Sequence, residues 1–253
     1  MRGSGRRRQS LAVGRPCAII AAGMPPPEPH LTAPTASPPA VVMFGDSTTA
    51  RRPGAVQEPY AARVQRRLDA AGLAFAVANQ GVGGNNTRDA LVRLATDVLA
   101  RSPALVVLQF GINDASVDVW LQPPATGPRV PPDEFAANLR RLVRTLRATG
   151  AAVILMTTNR VYWSDVMRGL FSRPPYDPTD REGFNRPLLD HYNQLIRDVA
   201  AAEQVPLVDI NAAYVAHPSP ASLLLADQIH PADAGHELVA ELLTPVILAE
   251  LPR

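Results

Sequence analysis

From residue 41 onward the chain alternates short apolar segments with longer amphipathic ones, and this alternation constrains the fold most. The short segments predict five β-strands, over residues 41–44, 73–78, 104–110, 151–157 and 206–210. The longer segments predict five helices, over residues 57–72, 88–100, 133–149, 186–203 and 232–251. Such alternation is typical of a parallel sheet with helices on both faces. We therefore predict an α/β fold of three layers, α/β/α, with a central five-stranded parallel sheet.

Length and composition fit one domain after residue 40. The chain has 253 residues, of which 46% are hydrophobic and 19% charged, so it can bury one sizeable core. We predict a single domain over residues 41–253. The formal net charge is +2, but the first 40 residues carry +4, from five arginines and one glutamate, which leaves −2 for the rest. This balance, with arginines scattered along amphipathic helices, argues against nucleic acid as a partner.

Residues 1–40 differ in composition from the predicted domain. Arg6, Arg7 and Arg8 precede an apolar stretch, which is the outline of a secretory signal, but Arg15 and Pro16 interrupt that stretch. The residues that follow are rich in proline, as an extended linker is. We expect a basic and then proline-rich leader, disordered or a degenerate signal, and export and a cytoplasmic location both stay open. No segment is long and apolar enough to predict a transmembrane helix.

Two polar motifs at opposite ends of the domain predict a nucleophile and its base. Ser47 follows the first predicted strand in the motif Gly-Asp-Ser, and Asp227 and His230 stand three residues apart before the last helix. A serine hydroxyl needs an imidazole to take its proton and a carboxylate to hold that imidazole in the right tautomer. In one tight turn, Asp227 can reach one ring nitrogen of His230 while the other faces a hydroxyl. We therefore expect the fold to bring Ser47 opposite His230.

Two further loops can supply the hydrogen-bond donors that an acyl-transfer site needs. The glycine-rich segment over residues 79–87 follows the second predicted strand, and a backbone amide there can donate to an oxyanion. The sequence Gly-Ile-Asn-Asp follows the third predicted strand, so that Asn113 lies at a strand's carboxyl end. Ligand sites of open α/β sheets gather at these ends.

Each motif has a simpler explanation when it is taken alone. Gly-Asp-Ser is a common turn in which Asp46 or Ser47 caps a helix. The glycine-rich loop lacks the Gly-x-Gly-x-x-Gly spacing of a dinucleotide site, because Asn86 stands where the last glycine belongs. Asn113 and Asp114 can simply satisfy loop amides at a strand exit. Four such turns in this order, three of them after predicted strands, favour a hydrolase instead.

The four segments resemble, in order, the four signature blocks of the SGNH hydrolases, also called the GDSL esterase and lipase family. The resemblance covers nearly the whole chain after residue 40. It implies that Ser47 is the nucleophile, that His230 is the general base and then the acid, and that Asp227 orients the imidazole. It also implies a flavodoxin-like strand order, 2-1-3-4-5, which the five alternating strands suggest as well.

The same resemblance implies an oxyanion hole. Its donors are the backbone amides of Ser47 and Gly84 and the side chain of Asn113. Gly84 is preferred over the glycines at 81 and 83 because the family's block reads Asn-x-Gly-x-x-Gly, which aligns with Asn79, Gly81 and Gly84.

We expect no cofactor and no metal. Cys17 is the only cysteine, and the five histidines form no His-x-His or Glu-x-x-His pair that would place metal ligands at a useful spacing. The histidines other than His230 are interpreted as surface or helix residues: His30, His191, His217 and His236. Of these, His236 lies six residues past His230 and could also line the site.

The long connection over residues 159–185 is the clearest clue to the substrate. It contains Arg160, Tyr162 and Trp163, and aromatic faces beside polar groups suit a sugar ring, so we predict these three as substrate-binding residues. The aromatic side chains can equally pin the connection onto the sheet. Arg51 and Arg52 can meet an anionic substrate, but we favour an interpretation as solvated residues.

Taken together, the sequence predicts a carboxylic-ester hydrolase that acts on short acyl groups, with O-acetyl groups on carbohydrate as one substrate class. The expected partner is a small-molecule or carbohydrate ester. A lipase, lysophospholipase or thioesterase for longer acyl chains is the alternative among hydrolases. An acyltransferase or an inactive binding module on the same fold also stays open, as does the oligomeric state.

Overall fold

The computed structural model of the protein describes residues 38–251. Its strands are β1 (Ala40–Gly45), β2 (Ala76–Gly81), β3 (Pro103–Gln109), β4 (Ala152–Met156) and β5 (Leu207–Val208). Its helices are α1 (Tyr60–Ala70), α2 (Thr87–Asp97), α3 (Pro132–Ala148), α4 (Asp165–Phe171), α5 (Arg186–Glu203), α6 (Ile210–Ala216) and α7 (Asp233–Glu250). Two short 3₁₀ helices cover Leu99–Arg101 and Pro220–Leu223.

The five strands form one parallel sheet in the order β2-β1-β3-β4-β5. This order confirms the predicted flavodoxin-like topology. The chain leaves β1 toward β2 on one side and later places β3 on the other, so the switch point of the sheet lies between β1 and β3. In the register, Gly45 of β1 is level with Gly81 of β2 and Gln109 of β3. The loops that follow these three strands therefore emerge side by side.

Alternate residues of the central strands belong to two separate apolar clusters. Val41 and Met43 of β1 pack in one cluster with α1 and α7. Val42 and Phe44 pack in the other with α2, α3 and α5. Successive side chains of a strand point to opposite faces, and a parallel strand covered on both faces is apolar throughout. The helices thus cover both faces, which confirms the predicted three-layer α/β/α fold.

A capping box fixes the start of α2, directly after the glycine-rich loop. The Asn86 side chain accepts from the amides of Arg88 and Asp89, and the Asp89 carboxylate accepts from the Asn86 amide at 3.0 Å. Backbone N–H groups that have no partner within the helix are thus satisfied by the two side chains. The loop between β2 and α2 is therefore anchored at its far end.

Strand β2 lies three residues further along the chain than predicted, at Ala76–Gly81 instead of 73–78. Pairing with β1 determines its position, because Met43 and Gly45 stand opposite Asn79 and Gly81. The prediction ended the strand at the first polar residue, where an isolated strand would end. Hydrogen bonding to a central neighbour carries the extended backbone on through the polar and glycine residues.

Two short helices, α4 and α6, were not predicted. Each begins with a side-chain cap, since Ser164 accepts from the Met167 amide and Asp209 accepts from the Ala212 amide. Each spans only seven residues, which is too short for a helical periodicity to stand out in the sequence. The fifth strand was predicted over residues 206–210 but pairs only over Leu207–Val208.

The predicted leader over residues 1–40 lies outside the described residues except for its last three. Ala40 is already the first residue of β1. The leader and the single-domain boundary at residue 41 therefore stay predictions. None of the helices described between residues 38 and 251 combines the length and apolar character needed to span a bilayer.

Candidate active site

Three side chains form a hydrogen-bonded chain at the carboxyl edge of the sheet. Ser47 Oγ lies 2.9 Å from His230 Nε2, and Asp227 Oδ2 lies 2.6 Å from His230 Nδ1. An ionised carboxylate can only accept, so a neutral His230 carries its hydrogen on Nδ1 and leaves Nε2 free to accept from the Ser47 hydroxyl. The arrangement matches the expectation that the fold brings Ser47 opposite His230.

The turn that carries Asp227 and His230 is closed by its own backbone. The Asp227 Oδ1 atom accepts from the amides of Ile229 and His230 at 2.9 and 3.0 Å, which leaves Oδ2 for the imidazole. The Leu225 amide donates to the His230 carbonyl at 2.8 Å. Gln228 adopts a φ of 61°, a left-handed conformation that non-glycine residues rarely hold without support from their surroundings. These hydrogen bonds thus fix the position of the imidazole within the turn.

The segment that follows β4 is hydrogen-bonded to the same turn. The buried Asn159 side chain donates to the Ile229 carbonyl at 2.9 Å, and the Tyr162 amide donates to the Gln228 carbonyl at 2.9 Å. Through these bonds the turn is tied to the segment that follows β4.

Ser47 lies in a tight turn that immediately follows β1. The buried Asp46 carboxylate closes this turn, because its Oδ1 atom accepts from both the amide and the hydroxyl of Thr48 at 2.8 Å. The Asn79 side chain donates to the Thr49 carbonyl at 2.7 Å and so joins the turn to β2. A Cβ atom at Gly45 would lie 2.1 Å from Thr49 Oγ1, which explains why the motif begins with glycine.

The predicted oxyanion donors line one pocket together with Ser47 and His230. Gly84 has a φ of 78°, in the left-handed region that favours glycine. Within residues 38–251, the backbone amides of Ser47 and Gly84 have no intramolecular acceptor. The Asn113 Nδ2 atom donates one hydrogen to the Asn85 carbonyl at 3.0 Å and keeps a second one free. The site therefore holds three unused N–H donors beside the serine.

This pocket has a volume of about 390 Å³. Its apolar wall comes mainly from the 159–185 connection and from α5, and consists of Ile112, Val161, Met167, Phe171, Phe184, Leu189 and Ile229. Two arginines, Arg52 and Arg129, also line it. Sequence reasoning missed this wall and Arg129, and it favoured a solvated Arg52. The four motifs that the sequence analysis singled out pointed to the site, whereas the apolar side chains of the wall stand in no such motif.

The structure does not bring Arg160, Tyr162 and Trp163 to the pocket wall. Arg160 pairs with Asp190 at 2.5 Å, and its guanidinium also donates to the Glu182 carbonyl. Tyr162 packs against the cluster on the α1 and α7 side of the sheet. None of the three is among the residues that line this pocket, and their contact with substrate stays a prediction.

The aromatic residues of the connection pack mostly on each other. Trp163 meets Phe184 edge to face at 4.9 Å between ring centroids, and Tyr176 stacks on Phe184 at 4.6 Å. Phe171 meets both Tyr176 and Phe184 edge to face. Of the two interpretations of these aromatics, pinning of the connection accounts for this geometry, and only Phe171 and Phe184 of this cluster line the pocket.

His236 is buried away from the pocket. Its Nδ1 atom accepts from the Tyr60 amide at 3.3 Å, and burial lowers its pKa to about 4. It is a helix residue, as interpreted, and it does not line the site. In the described part of the chain, no three His, Cys, Asp or Glu side chains gather into a group that could hold a metal ion.

The electrostatics of the site favour a neutral His230. Burial lowers its pKa below the ordinary value and the positive charge of Arg52 lowers it further, although Asp227 opposes both effects. Burial also disfavours the ionised form of Asp227, but the bonds from its own turn and from His230 outweigh burial and keep its pKa below the ordinary value. At neutral pH the pair is therefore a neutral imidazole beside an ionised carboxylate.

A hydroxyl, an imidazole and a carboxylate in contact at the switch point of an α/β sheet form the arrangement of side chains that serine hydrolases use. The chain belongs to the GDSL-like Lipase/Acylhydrolase family, whose model matches residues 43–238. This confirms the resemblance drawn from the four motifs.

Similarity to individual proteins points the same way. The chain is 31% identical to the acetylxylan esterase of Geobacillus stearothermophilus over 194 residues, which cover 74% of this chain and 80% of that protein. It is 27% identical to the esterase TesA of Pseudomonas aeruginosa, over 82% of this chain and 87% of that one. The crystal structure of the lipase/acylhydrolase from Enterococcus faecalis superposes with a TM-score of 0.66 at 28% identity, over 85% of this chain and 97% of that one. The chain is thus an esterase that acts on ester substrates.

Proposed function

We propose that Ser47, His230 and Asp227 are the catalytic triad of this esterase. The observation that carries the proposal is the continuous hydrogen-bonded chain from the Ser47 hydroxyl through the imidazole to the Asp227 carboxylate. His230 takes the hydroxyl proton as Ser47 attacks the ester carbonyl, and Asp227 stabilises the imidazolium that forms. His230 then returns the proton to the leaving alcohol. A water molecule repeats the sequence on the acyl-enzyme and releases the acid.

The amides of Ser47 and Gly84 and the Asn113 side chain act as the oxyanion hole in this proposal. Within residues 38–251 the two amides have no intramolecular acceptor, and Asn113 Nδ2 keeps one hydrogen free beside its bond to the Asn85 carbonyl, so each group can donate to the negative oxygen without first breaking a bond. Donors fixed in advance in a partly buried pocket stabilise developing charge more than water does.

For the acyl group we propose a short chain, with acetyl esters of carbohydrate as the substrate class. The similarity to an acetylxylan esterase supports the acetyl group. The pocket volume of about 390 Å³ supports it too, since this lies near the lower end of the range of about 300–1,000 Å³ for small-molecule sites. An acetyl group and part of a sugar ring fit within such a space.

A second candidate is an esterase for longer acyl groups. The apolar wall formed by Met167, Phe171, Phe184 and Leu189 favours it, because a sugar offers fewer apolar atoms to such a wall than an acyl chain does. The two candidates share the triad and differ in which part of the ester the wall contacts.

Hydrolysis of p-nitrophenyl esters from acetate to palmitate tests the triad and the acyl preference together. We expect kcat/KM to be highest on acetate and to be lost in Ser47→Ala while circular dichroism shows an unchanged fold. An optimum on long chains would replace the first candidate with the second. Turnover that persists in Ser47→Ala would contradict the triad.

Acetylated xylo-oligosaccharides then test the carbohydrate part. We expect acetate release that depends on Ser47 and exceeds release from a simple acetate ester at equal concentration. Adding a second alcohol as acceptor separates hydrolysis from transfer. If acetylated acceptor formed faster than free acetate, the protein would be an acyltransferase, and no Ser47-dependent turnover on any ester would indicate an inactive module.

A further inference from the structure

The amide group of Asn113 is held at both of its ends. Its Nδ2 atom donates to the Asn85 carbonyl at 3.0 Å, and its Oδ1 atom accepts from Arg129 Nη1 at 3.2 Å. Asparagine can present either its oxygen or its NH₂ group to a given partner by rotating the amide. Here the flipped amide would set its oxygen against the Asn85 carbonyl and its NH₂ group against a guanidinium. Both contacts therefore select the same orientation.

Arg129 is itself fixed by a carboxylate. Its Nε and Nη2 atoms donate to Asp118 over distances of 2.6–3.1 Å, in a bidentate pair. The Arg129 amide donates to the Ser116 carbonyl at 2.9 Å, and its own carbonyl accepts from Arg88 Nη1 at 3.0 Å. The guanidinium has one remaining nitrogen, Nη1, and this nitrogen faces Asn113. Arg129 thus reaches the amide from a backbone and side chain that are both anchored.

The charge of Arg129 matters as well as its position. A cation that donates to the amide oxygen polarises the amide and makes its N–H groups stronger donors. With the oxygen occupied by Arg129, the free hydrogen of Nδ2 is the group left for an oxyanion. The wrong orientation would turn a carbonyl oxygen toward a developing negative charge and would repel it.

We propose that Arg129 is a positioning residue that locks the Asn113 amide with its NH₂ group toward the oxyanion. The inference rests on the proposed function, which assigns Asn113 to the oxyanion hole. In chemical terms, the insertion between β3 and α3 supplies a cation that completes the site without joining the proton transfer. Because Arg129 also lines the pocket, the competing role is direct contact with the substrate.

A double-mutant cycle separates these roles. Arg129→Gln, Asn113→Ala and the double variant are compared with the wild type on p-nitrophenyl acetate. We expect Arg129→Gln to lower kcat by about tenfold and to leave KM within about twofold of the wild-type value. Deletion of an oxyanion donor costs more, about 100-fold or more in kcat. In the Asn113→Ala background the same substitution should cost nothing further, because the amide that it orients is gone.

The outcomes are distinguishable. A loss that persists in the Asn113→Ala background, or that falls on KM, would overturn positioning in favour of substrate contact. An unchanged kcat in Arg129→Gln would overturn the proposal outright. If Asn113→Ala itself kept full activity, the oxyanion assignment would fail, which is a failure of the proposed function and not of the Arg129 contact alone.

Two further measurements guard against a merely structural effect. A trifluoromethyl ketone forms a tetrahedral adduct with an oxyanion, so its inhibition constant should rise in Arg129→Gln by the factor that kcat/KM falls. Arg144→Gln is a matched control, because it removes an exposed bidentate pair with Glu203 far from the pocket and should leave kcat unchanged.

If Arg129→Gln failed to fold, Asp118→Asn would test the same positioning, because it removes the carboxylate that fixes Arg129. We expect kcat to fall in this variant too, but by a smaller factor than in Arg129→Gln. No loss in a folded Asp118→Asn would then overturn the proposal.

Discussion

At the scale of single residues, Asn113 offers the most direct test of the oxyanion hole. Its side chain is one of the three proposed donors, and it also lines the pocket beside Ser47. Loss of one such donor raises a reaction barrier by about 3–4 kcal/mol, so we expect Asn113→Ala to lower kcat by about 100- to 1,000-fold. Kinetics on acetate esters measure this, and thermal unfolding checks that the variant is folded. A loss below tenfold would remove Asn113 from the hole.

Arg52 offers a test of the electrostatics around His230. Burial is the main cause that lowers the pKa of His230, and the positive charge of Arg52 lowers it further. Removing this cation makes the imidazolium easier to form, so in Arg52→Gln the His230 pKa should rise. The base is then protonated at higher pH, and the acid limb of the kcat/KM profile should move to higher pH. A limb that stays in place or moves down would show that Arg52 does not act on His230.

The positions of Ser47, Asp227 and His230 could be anticipated from the sequence because each stands in a short motif beside a strand or turn. The residues that surround them could not. Arg129 and Phe171 reach the pocket from long connections whose paths no short motif in the sequence predicts. The three side chains predicted to bind substrate lie in the connection that contributes most of the apolar wall, but none of the three lines this pocket. Val161, between Arg160 and Tyr162, does line the pocket.

At the scale of elements, Gly81 joins β2 to the turn that carries Ser47. A Cβ atom there would lie 2.3 Å from the Ala50 amide nitrogen, which is backbone and cannot move aside alone. We expect Gly81→Ala to destabilise the protein by about 1–3 kcal/mol, as overpacking does, and to lower kcat because the turn shifts. Thermal unfolding and esterase kinetics measure the two effects. Gly127→Ala is the control, since its Cβ atom would meet nothing within 4 Å.

Helix α4 brings one aromatic side chain, Phe171, to the apolar wall. Phe171→Ala should enlarge the pocket, so we expect the ratio of kcat/KM on octanoate to that on acetate to rise by about tenfold, in the range that hydrophobic pockets discriminate. The neighbouring Leu170 is half exposed and does not line the pocket, which makes Leu170→Ala the matched control. A ratio that changes equally in both variants would mean that the wall does not contact the acyl group.

The existence of the elements was easier to predict than their ends. All five strands lie near their predicted positions because apolar runs mark the buried centre of the sheet. The shift of β2 arises from its pairing with β1, and β5 pairs with β4 over only two residues. Helices α4 and α6 depend on caps and on packing rather than on periodicity. These are tertiary effects that a local pattern does not contain.

At the scale of the whole molecule, the site exists only when the sheet is complete. The Ser47 hydroxyl and the imidazole that contacts it are 183 residues apart in the chain. They meet because β1 is central and because the turn at Asp227 is tied to the exit of β4. The strand order, which the five alternating strands suggest and the family resemblance implies, therefore brings the separate motifs together in one site.

The free energy of unfolding should depend on pH through the buried carboxylate of Asp46. Burial raises its pKa from 3.8 to about 6. The folded state thus binds this proton more tightly than the unfolded state, so the stabilisation is complete below about pH 4 and is lost as the pH rises through 6. Asp46→Asn has no charge to bury, so its free energy of unfolding relative to wild type should increase between pH 4.5 and pH 8, by at most about 3 kcal/mol. Denaturant unfolding of both proteins at the two pH values measures this, and a difference that is independent of pH would mean that Asp46 ionises as easily folded as unfolded.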